Sequence, residues 1–347
     1  MRFNPLTLKK IQRFKSIKRG YYSLILFILL ILIACFAELL ISNRALVVYY
    51  NGKVYFPSYG NMIPGSTFGL GYDYETNYRD LQKKLKAQRN GNFVLMPLVP
   101  YDAFEIDLIE NKYPPYAPSL EDQHLLGTDI VGRDIVARLI YGFRICISFS
   151  ILLIVINFSI GISLGCLMGY VGGKFDLFFQ RIIEVWSAIP FLYIIMIIAS
   201  IIIPGLVILV FISVLFGWMG MTWYMRTMTY KEKARDYVMA AKALGASNSR
   251  VIFKHILPNS LSLIVTFIPF SIAGGIGALT ALDYLGFGLP PPTPSWGELL
   301  QQGTNNLSAI WIISSIVSAL IIVMVCITFI GEAIREAFDP KLHSTYE

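Results

Sequence analysis

The stretch RIIEVWSAIPFLYIIMIIASIIIPGLVILVFISVLFGWMGM, from Arg181 to Met221, decides the architecture by how it is divided. A helix that crosses a membrane needs about 20 mostly apolar residues, and this run holds enough for two. Pro204 and Gly205 both break helices and favour a turn, so the run is read as two spans, 182–203 and 205–225. Outward from it, further apolar runs lie at 21–42 and 145–170 on one side, and at 260–282 and 306–331 on the other. The total is six spans. Without the break at Pro204 the count would be odd.

Composition agrees. Of 347 residues, 55% are hydrophobic and only 15% charged, with a mean hydropathy of +0.60, whereas soluble domains are about a quarter charged. The expected fold class is an all-α polytopic membrane protein. The net charge of +7 follows the spans. Arg2, Lys9, Lys10, Arg13, Lys15, Lys18 and Arg19 precede the first span, and Arg226, Lys231, Lys233, Arg235, Lys242, Arg250 and Lys254 lie between the fourth and fifth. The loop at 284–305 has neither Lys nor Arg. Positive flanks stay on the cytoplasmic side, so both termini are expected there, and the basic excess calls for no nucleic-acid partner.

The expected parts are a cytoplasmic amphipathic segment at 1–20, a first span at 21–42, an outer insertion and elbow at 43–144, a membrane core at 145–332 and a cytoplasmic tail at 333–347. Leu8, Ile11, Phe14 and Ile17 recur at helical spacing among basic residues, the pattern of a helix lying on the lipid surface. Leu32-Ile33-Ala34-Cys35 resembles a lipoprotein processing box, but apolar sequence continues past it, so the segment is read as a retained span. In the insertion, Val47–Tyr50 and Lys53–Phe56 flank Asn51-Gly52, the signature of a β-hairpin with a type I′ turn. Asp80–Arg89 is expected to be a charged, solvated helix, and the surrounding tyrosines and phenylalanines its core.

Chemistry of its own is not expected of this chain. Neither Gly52-Lys53 nor Gly173-Lys174 has the flanking Gly and hydroxyl that a phosphate-binding loop needs. Gly161-Ile-Ser-Leu-Gly165 spells a nucleophile elbow but lies within a span, where it reads as helix packing. Cys35, Cys146, Cys166 and Cys326 form no metal or redox motif, and His124, His255 and His343 share no ligand spacing and read as solvated positions. No metal site, cofactor or catalytic residue is expected. Glu38, Arg144, Arg181, Glu184 and Asp283 are the charges within or beside spans, with Arg181 and Glu184 expected to pair at i,i+3. Gly274, Gly275 and Gly277 would allow close helix approach in the fifth span.

Between the fourth and fifth spans, DYVMAAKALGASNSRVIFKHILPN (Asp236 to Asn259) is too polar to cross the membrane. Ala240, Ala241, Ala243 and Leu244 predict one short helix, Gly245 a sharp break, and Val251, Ile252, Phe253 and Ile256 a second, ended or followed by Pro258. Such a knob suits the groove of a partner. The segment resembles the EAA loop of ABC importer permeases: Met239, Ala240, Ala241, Gly245, Leu257 and Pro258 occupy the matching positions. Met239 replaces the acid, and His255 stands in place of an apolar residue, as in the peptide/nickel branch.

A second segment, HLLGTDIVGRDIVARLIYGFRICIS (His124 to Ser148), is similar to the elbow before the second span in C-type permeases of oligopeptide and dipeptide importers. Gly127, Thr128, Asp129, Gly132, Arg133, Asp134, Arg138, Gly142 and Arg144 carry the likeness. Asp129 with Arg133 and Asp134 with Arg138 are spaced to pair along a surface helix, with Gly142 as the bend into the span. The elbow is read as structural.

Leu282–Gly303, Arg181–Ser200 and Tyr55-Phe56-Pro57 extend the likeness to the Yej-type permeases of oligopeptides and the peptide-nucleotide microcin C. The resemblance implies the type I ABC importer fold in a bacterial inner membrane. It also implies a homologous permease partner, two ABC ATPase subunits, an extracytoplasmic peptide-binding protein and membrane lipid as surroundings. The chain would be a transport subunit, not an enzyme, alternating access as the ATPases move its EAA loop. Substrate-binding residues are not identified. The rival reading is an ATP-independent carrier or channel, for which a relay of embedded charges would be expected.

Overall fold

The computed structural model describes residues 5–88, 90–109 and 112–338. His343 and the end of the expected tail lie outside them. Helices α1 (Pro5–Ser16), α2 (Lys18–Cys35) and α3 (Ala37–Leu40) open the chain. Strands β1 (Val47–Tyr50) and β2 (Lys53–Tyr55), helix α4 (Tyr78–Gln88) and strand β3 (Phe93–Leu95) build the insertion. The remainder is helical: α5 (Ile135–Val171), α6 (Gly173–Ser187), α7 (Phe191–Ile201), α8 (Leu206–Lys233), α9 (Asp236–Ala243), α10 (Asn248–Tyr284), α11 (Trp296–Asn305) and α12 (Ile310–Phe338).

Five of these helices, α2, α5, α8, α10 and α12, are long and apolar enough to cross a membrane. The expected third span is not a single straight helix. It is divided between α6 and α7, which meet at 63°. Pro190 explains the bend: it has no N–H to donate and crowds the residue before it out of the helical region. Counting the pair as one broken span gives six, and the break at Pro204–Gly205 stands where expected, between α7 and α8.

Two helices run well past their expected ends. Helix α5 begins ten residues earlier than the apolar run and spans about 55 Å at the usual helical rise. Helix α10 begins at Asn248 and continues through Pro258 into the membrane, so the second helix of the polar loop and the fifth span are one element. A wide π turn at Val251–Ile256 precedes the proline and keeps the helix unbroken there.

The centre of the bundle is the packing of α5 on α8. Gly161, Gly165 and Gly169 form a ridge on α5 that lies directly on α8. A Cβ on them would come within 2.7 Å of Met221 Cβ, 2.6 Å of the Thr222 carbonyl and 2.6 Å of the Arg226 carbonyl, respectively. This is the small-xxx-small contact of membrane helices, as the sequence suggested for the two glycines around Ser163. Of the fifth-span glycines only Gly275 makes such a contact, against Ser150 of α5.

The insertion is a three-stranded antiparallel sheet of order β2-β1-β3 with α4 against it. The hairpin turn has positive φ at Asn51 and Gly52, as a type I′ turn requires. Phe68 is its centre, edge-on to Tyr50 and Tyr55, with Leu81 and Leu85 of α4 fully buried beside it. Each such side chain is worth about 1.5–3 kcal/mol of burial.

Candidate functional site: a buried elbow and a projecting loop

At the insertion end, the segment from His124 to Asp134 is not the surface helix that its i,i+4 spacing suggested. Gly127 and Gly132 both have positive φ, which a helix cannot contain, so the segment folds as tight turns and α5 begins at Ile135. Asp134 does not pair with Arg138. It caps α5, accepting from the Ala137 amide at 2.9 Å, and its other oxygen meets His124 Nδ1 at 2.9 Å. Nor is Gly142 a bend. It sits within the unbroken α5, where the missing side chain admits Trp296, whose ring a Cβ would meet at 2.7 Å.

His124, expected to be solvated, is fully buried. Its Nε2 lies 3.3 Å from Asp107, and its ring stacks on Tyr101 at 3.9 Å. Burial alone would pull the imidazole pKa down, but hydrogen bonds to Asp107 and Asp134 outweigh it and push the value up to about 9. The same hydrogen bond from His124, against opposing burial, holds the Asp107 carboxyl below its ordinary range.

Beside this cluster lies a second. Asp129 accepts from the Val131 and Arg133 amides and from Arg133 Nε at 2.7 Å. Arg133 and Arg138 both donate to Glu298 of α11, Arg133 at 2.7 Å. Arg138 also reaches the carbonyls of Ala103, Pro292 and Thr293, each at 3.2 Å. The elbow thus rivets the insertion, the start of α5 and the α11 loop together. Thr128 joins in through its hydroxyl, which accepts from the Tyr116 amide at 2.8 Å, and its carbonyl, which accepts from Trp311.

Sequence reading missed Asp107 and Glu298. One signal for Glu298 was present: Ser295-Trp-Gly-Glu298 has the spacing of a capping box. Ser295 does cap α11, accepting from the Glu298 amide at 3.2 Å. The carboxylate, however, reaches out to the two arginines.

At the opposite end of the bundle, the polar loop folds as expected into helix, break and helix. Gly245 has φ +82° and closes α9 as a Schellman motif: its own amide donates to Lys242 O at 2.9 Å and the Ala246 amide to Ala241 O at 3.0 Å. Ser247 caps α10. Val238, Val251, Ile252 and Ile256 are buried against Cys166 and Tyr170 of α5 and Met221 and Met225 of α8. Tyr170 accepts Lys233 on its carbonyl and donates to Asn248 at 2.7 Å, while Asn259 donates to Tyr237 and to the His255 carbonyl. Leu257 packs at the edge of this cluster, Ala240 and Pro258 are exposed, and His255 is half-buried.

Three large apolar side chains project, among exposed Lys242, Arg250 and Lys254. Met239 is 53% exposed, Leu244 89% and Phe253 69%. Phe253, expected on the buried face of its helix, points outward because the π turn rotates it away from Ile252 and Ile256. Between the two ends, α5, α8 and α10, with Phe191 of α7, line an open groove of about 430 Å³ that holds Asn157, Ser213, Tyr224 and Ser271 among small and apolar residues. The charges near spans are paired: Glu38 with Arg144 and Arg181 with Glu184, both at 2.6 Å. Asp283 accepts from Ser295 and the Leu289 amide.

This arrangement belongs to a known family. Residues 161–344 match the binding-protein-dependent transport system inner membrane component family. The chain is a member of it. It is 40% identical to the inner membrane ABC transporter permease protein YejE of Escherichia coli, over 98% of both chains. To the peptidoglycan transport system permease protein YejE of Agrobacterium fabrum it is 35% identical, over 98% of this chain and 94% of the other. The oligopeptide transport system permease protein OppC of Haemophilus influenzae is 33% identical over 65% of this chain and 73% of its own. Its fold is similar to a chain of the MetNI methionine ABC transporter in an inward-facing form, with TM-score 0.50 and 17% identity over 59% of this chain and 98% of that one. The chain is therefore a multi-pass inner-membrane ABC permease with a type I-like bundle.

Proposed function

We propose that this chain is the C-type permease subunit of an ATP-driven importer of oligopeptides or peptide-like compounds, microcin C among them. It forms the pathway with a homologous permease, receives substrate from an extracytoplasmic binding protein, and couples to two ATPase subunits through the loop from Met239 to Pro258. Both termini and this loop face the cytoplasm. The observation that carries the reading is the knob itself: a glycine-closed helix pair, anchored by Val238 and Ile256 in the ends of α5 and α8, that presents Met239, Leu244 and Phe253 outward. An ATPase groove that grips such a surface would move α5 and α8, which pack along each other, as one body. With Met239 where the family's acid stands, the grip here rests on apolar contact and on the exposed Lys242, Arg250 and Lys254.

The groove between α5, α8 and α10 supports the pathway assignment, because its hydroxyls and amide can accept and donate to a peptide backbone without selecting side-chain charge. A second reading, fragments of peptidoglycan as cargo, has the printed name of the Agrobacterium relative in its favour; these too are peptide-bearing, and competition assays separate them. The ATP-independent carrier has less support, since the charges near the spans are tied in local pairs.

Gly245→Pro tests the coupling. Proline removes the amide that donates to Lys242 and cannot adopt φ +82°. Membrane insertion should be unchanged, peptide uptake lost, and co-purification of the ATPase lost or its hydrolysis uncoupled. Uptake at the normal rate would defeat the assignment. If the unmodified chain purifies alone and moves solute without ATP, the carrier reading takes its place.

A further inference from the structure

A cleft of about 1060 Å³ opens at the coupling-loop end between α1, α8, α10 and α12. Lys10, Lys231, Arg235 and Arg335 line it, against the single carboxylate of Glu232. Glu232 is already engaged, accepting from Tyr237 at 2.6 Å and lying 3.7 Å from Arg235. Lys10, Lys231 and Arg335 have no carboxylate within 4.0 Å among the described residues, so the cleft holds uncompensated positive charge.

Its walls change character with depth. Along one face of α10, Ser262, Thr266 and Phe270 follow one another at four-residue steps, so hydroxyls lie at the mouth and an aromatic ring lies toward the membrane interior. Lys10 crosses the mouth, donating to Ser262 at 3.1 Å and lying 4.5 Å over the Phe338 ring. Cations and hydroxyls at the rim, with an apolar wall running inward, match a molecule that has an anionic head and a hydrocarbon tail.

We propose that this cleft binds the phosphate headgroup of an anionic phospholipid from the leaflet on the coupling-loop side. Helix α1 serves as its lid. Basic clefts between helix ends at the membrane surface recognise such headgroups, each cation adding about 1 kcal/mol. The site adjoins Tyr237 and Asn259, which bond the first turn of α9 to α10 just past Pro258, so bound lipid would stiffen the loop's root.

The test is native mass spectrometry of the full-length protein in detergent, offered equimolar phosphatidylglycerol and phosphatidylcholine. Phosphatidylglycerol should be retained preferentially, and retention should fall about fivefold per cation in Lys231→Gln and in Arg335→Gln. Lys83→Gln, on α4 of the insertion, controls for net charge alone. Equal retention of the two lipids, unchanged retention in both cleft variants, or an equal fall in Lys83→Gln overturns the proposal. Displacement of the lipid by inorganic phosphate at matching concentration would reassign the site to a soluble anion and equally overturn it.

Discussion

Around Arg138, charged side chains are drawn into the protein and paired; around Gly245, apolar side chains are pushed out of it. Arg138 is fully buried and Leu244 is 89% exposed, the reverse of what each residue type prefers. At the elbow, the cost of burying charge is met by carboxylates from three chain regions, Asp107, Asp129 and Glu298. At the loop, exposed apolar surface has no such compensation among the described residues, and it is what a binding face looks like before its partner arrives. The elbow fixes geometry within one subunit, whereas the loop, on the function proposed above, is offered to another.

The largest effect should therefore come from the elbow. Arg138→Met leaves Asp129 and Glu298 with Arg133 as their one remaining cation and removes the donor to the Ala103, Pro292 and Thr293 carbonyls, at an expected cost of about 3–5 kcal/mol. Thermal unfolding in detergent should show a large fall in Tm, and adding Glu298→Leu should recover part of it. A Tm within a degree of the unmodified protein would mean that the buried network is not what holds the elbow.

The next effect is on pH. The folded pKa of His124, about 9, is raised above its ordinary 6.5, so the stability it contributes is complete below about 6.5 and lost as pH rises through 9. The shift corresponds to roughly 3 kcal/mol. Tm should decline across that window, and His124→Gln should flatten the decline. An unchanged slope in the variant would place the pH response elsewhere.

Smallest in stability is Leu244→Ser, expected to change it by less than about 0.5 kcal/mol because the side chain contacts little of its own chain. Its consequence should appear in trans, as weaker retention of the ATPase subunits in pull-down. If Leu244→Ser lowers Tm as Arg138→Met does, the contrast between the two ends collapses.

Much of this was legible in the sequence for a physical reason: the features concerned are local. Apolar runs placed the long helices because a membrane demands continuous hydrophobicity. Asn51-Gly52 placed the hairpin because few residues accept positive φ. Gly245 placed the break in the loop for the same reason. The bend at Pro190 was also local and could have been read from its missing amide, but the apolar residues on both sides masked it.

The elbow was not legible, because its spacing was compatible with a different structure. Asp129 and Arg133 do pair, yet across a turn that Gly127 and Gly132 impose. Asp134 and Arg138 stand one helical turn apart and do not pair: Asp134 turns to Ala137 and His124, and Arg138 to a partner 160 residues away. The sequence by itself determined where the chain is apolar, where it must turn and which family it resembles, since those depend on each residue and its neighbours. Only the tertiary structure decided that His124 is buried between two aspartates, that Glu298 completes the elbow and that Phe253 points outward, because burial and ion pairing depend on which distant segments close over a residue.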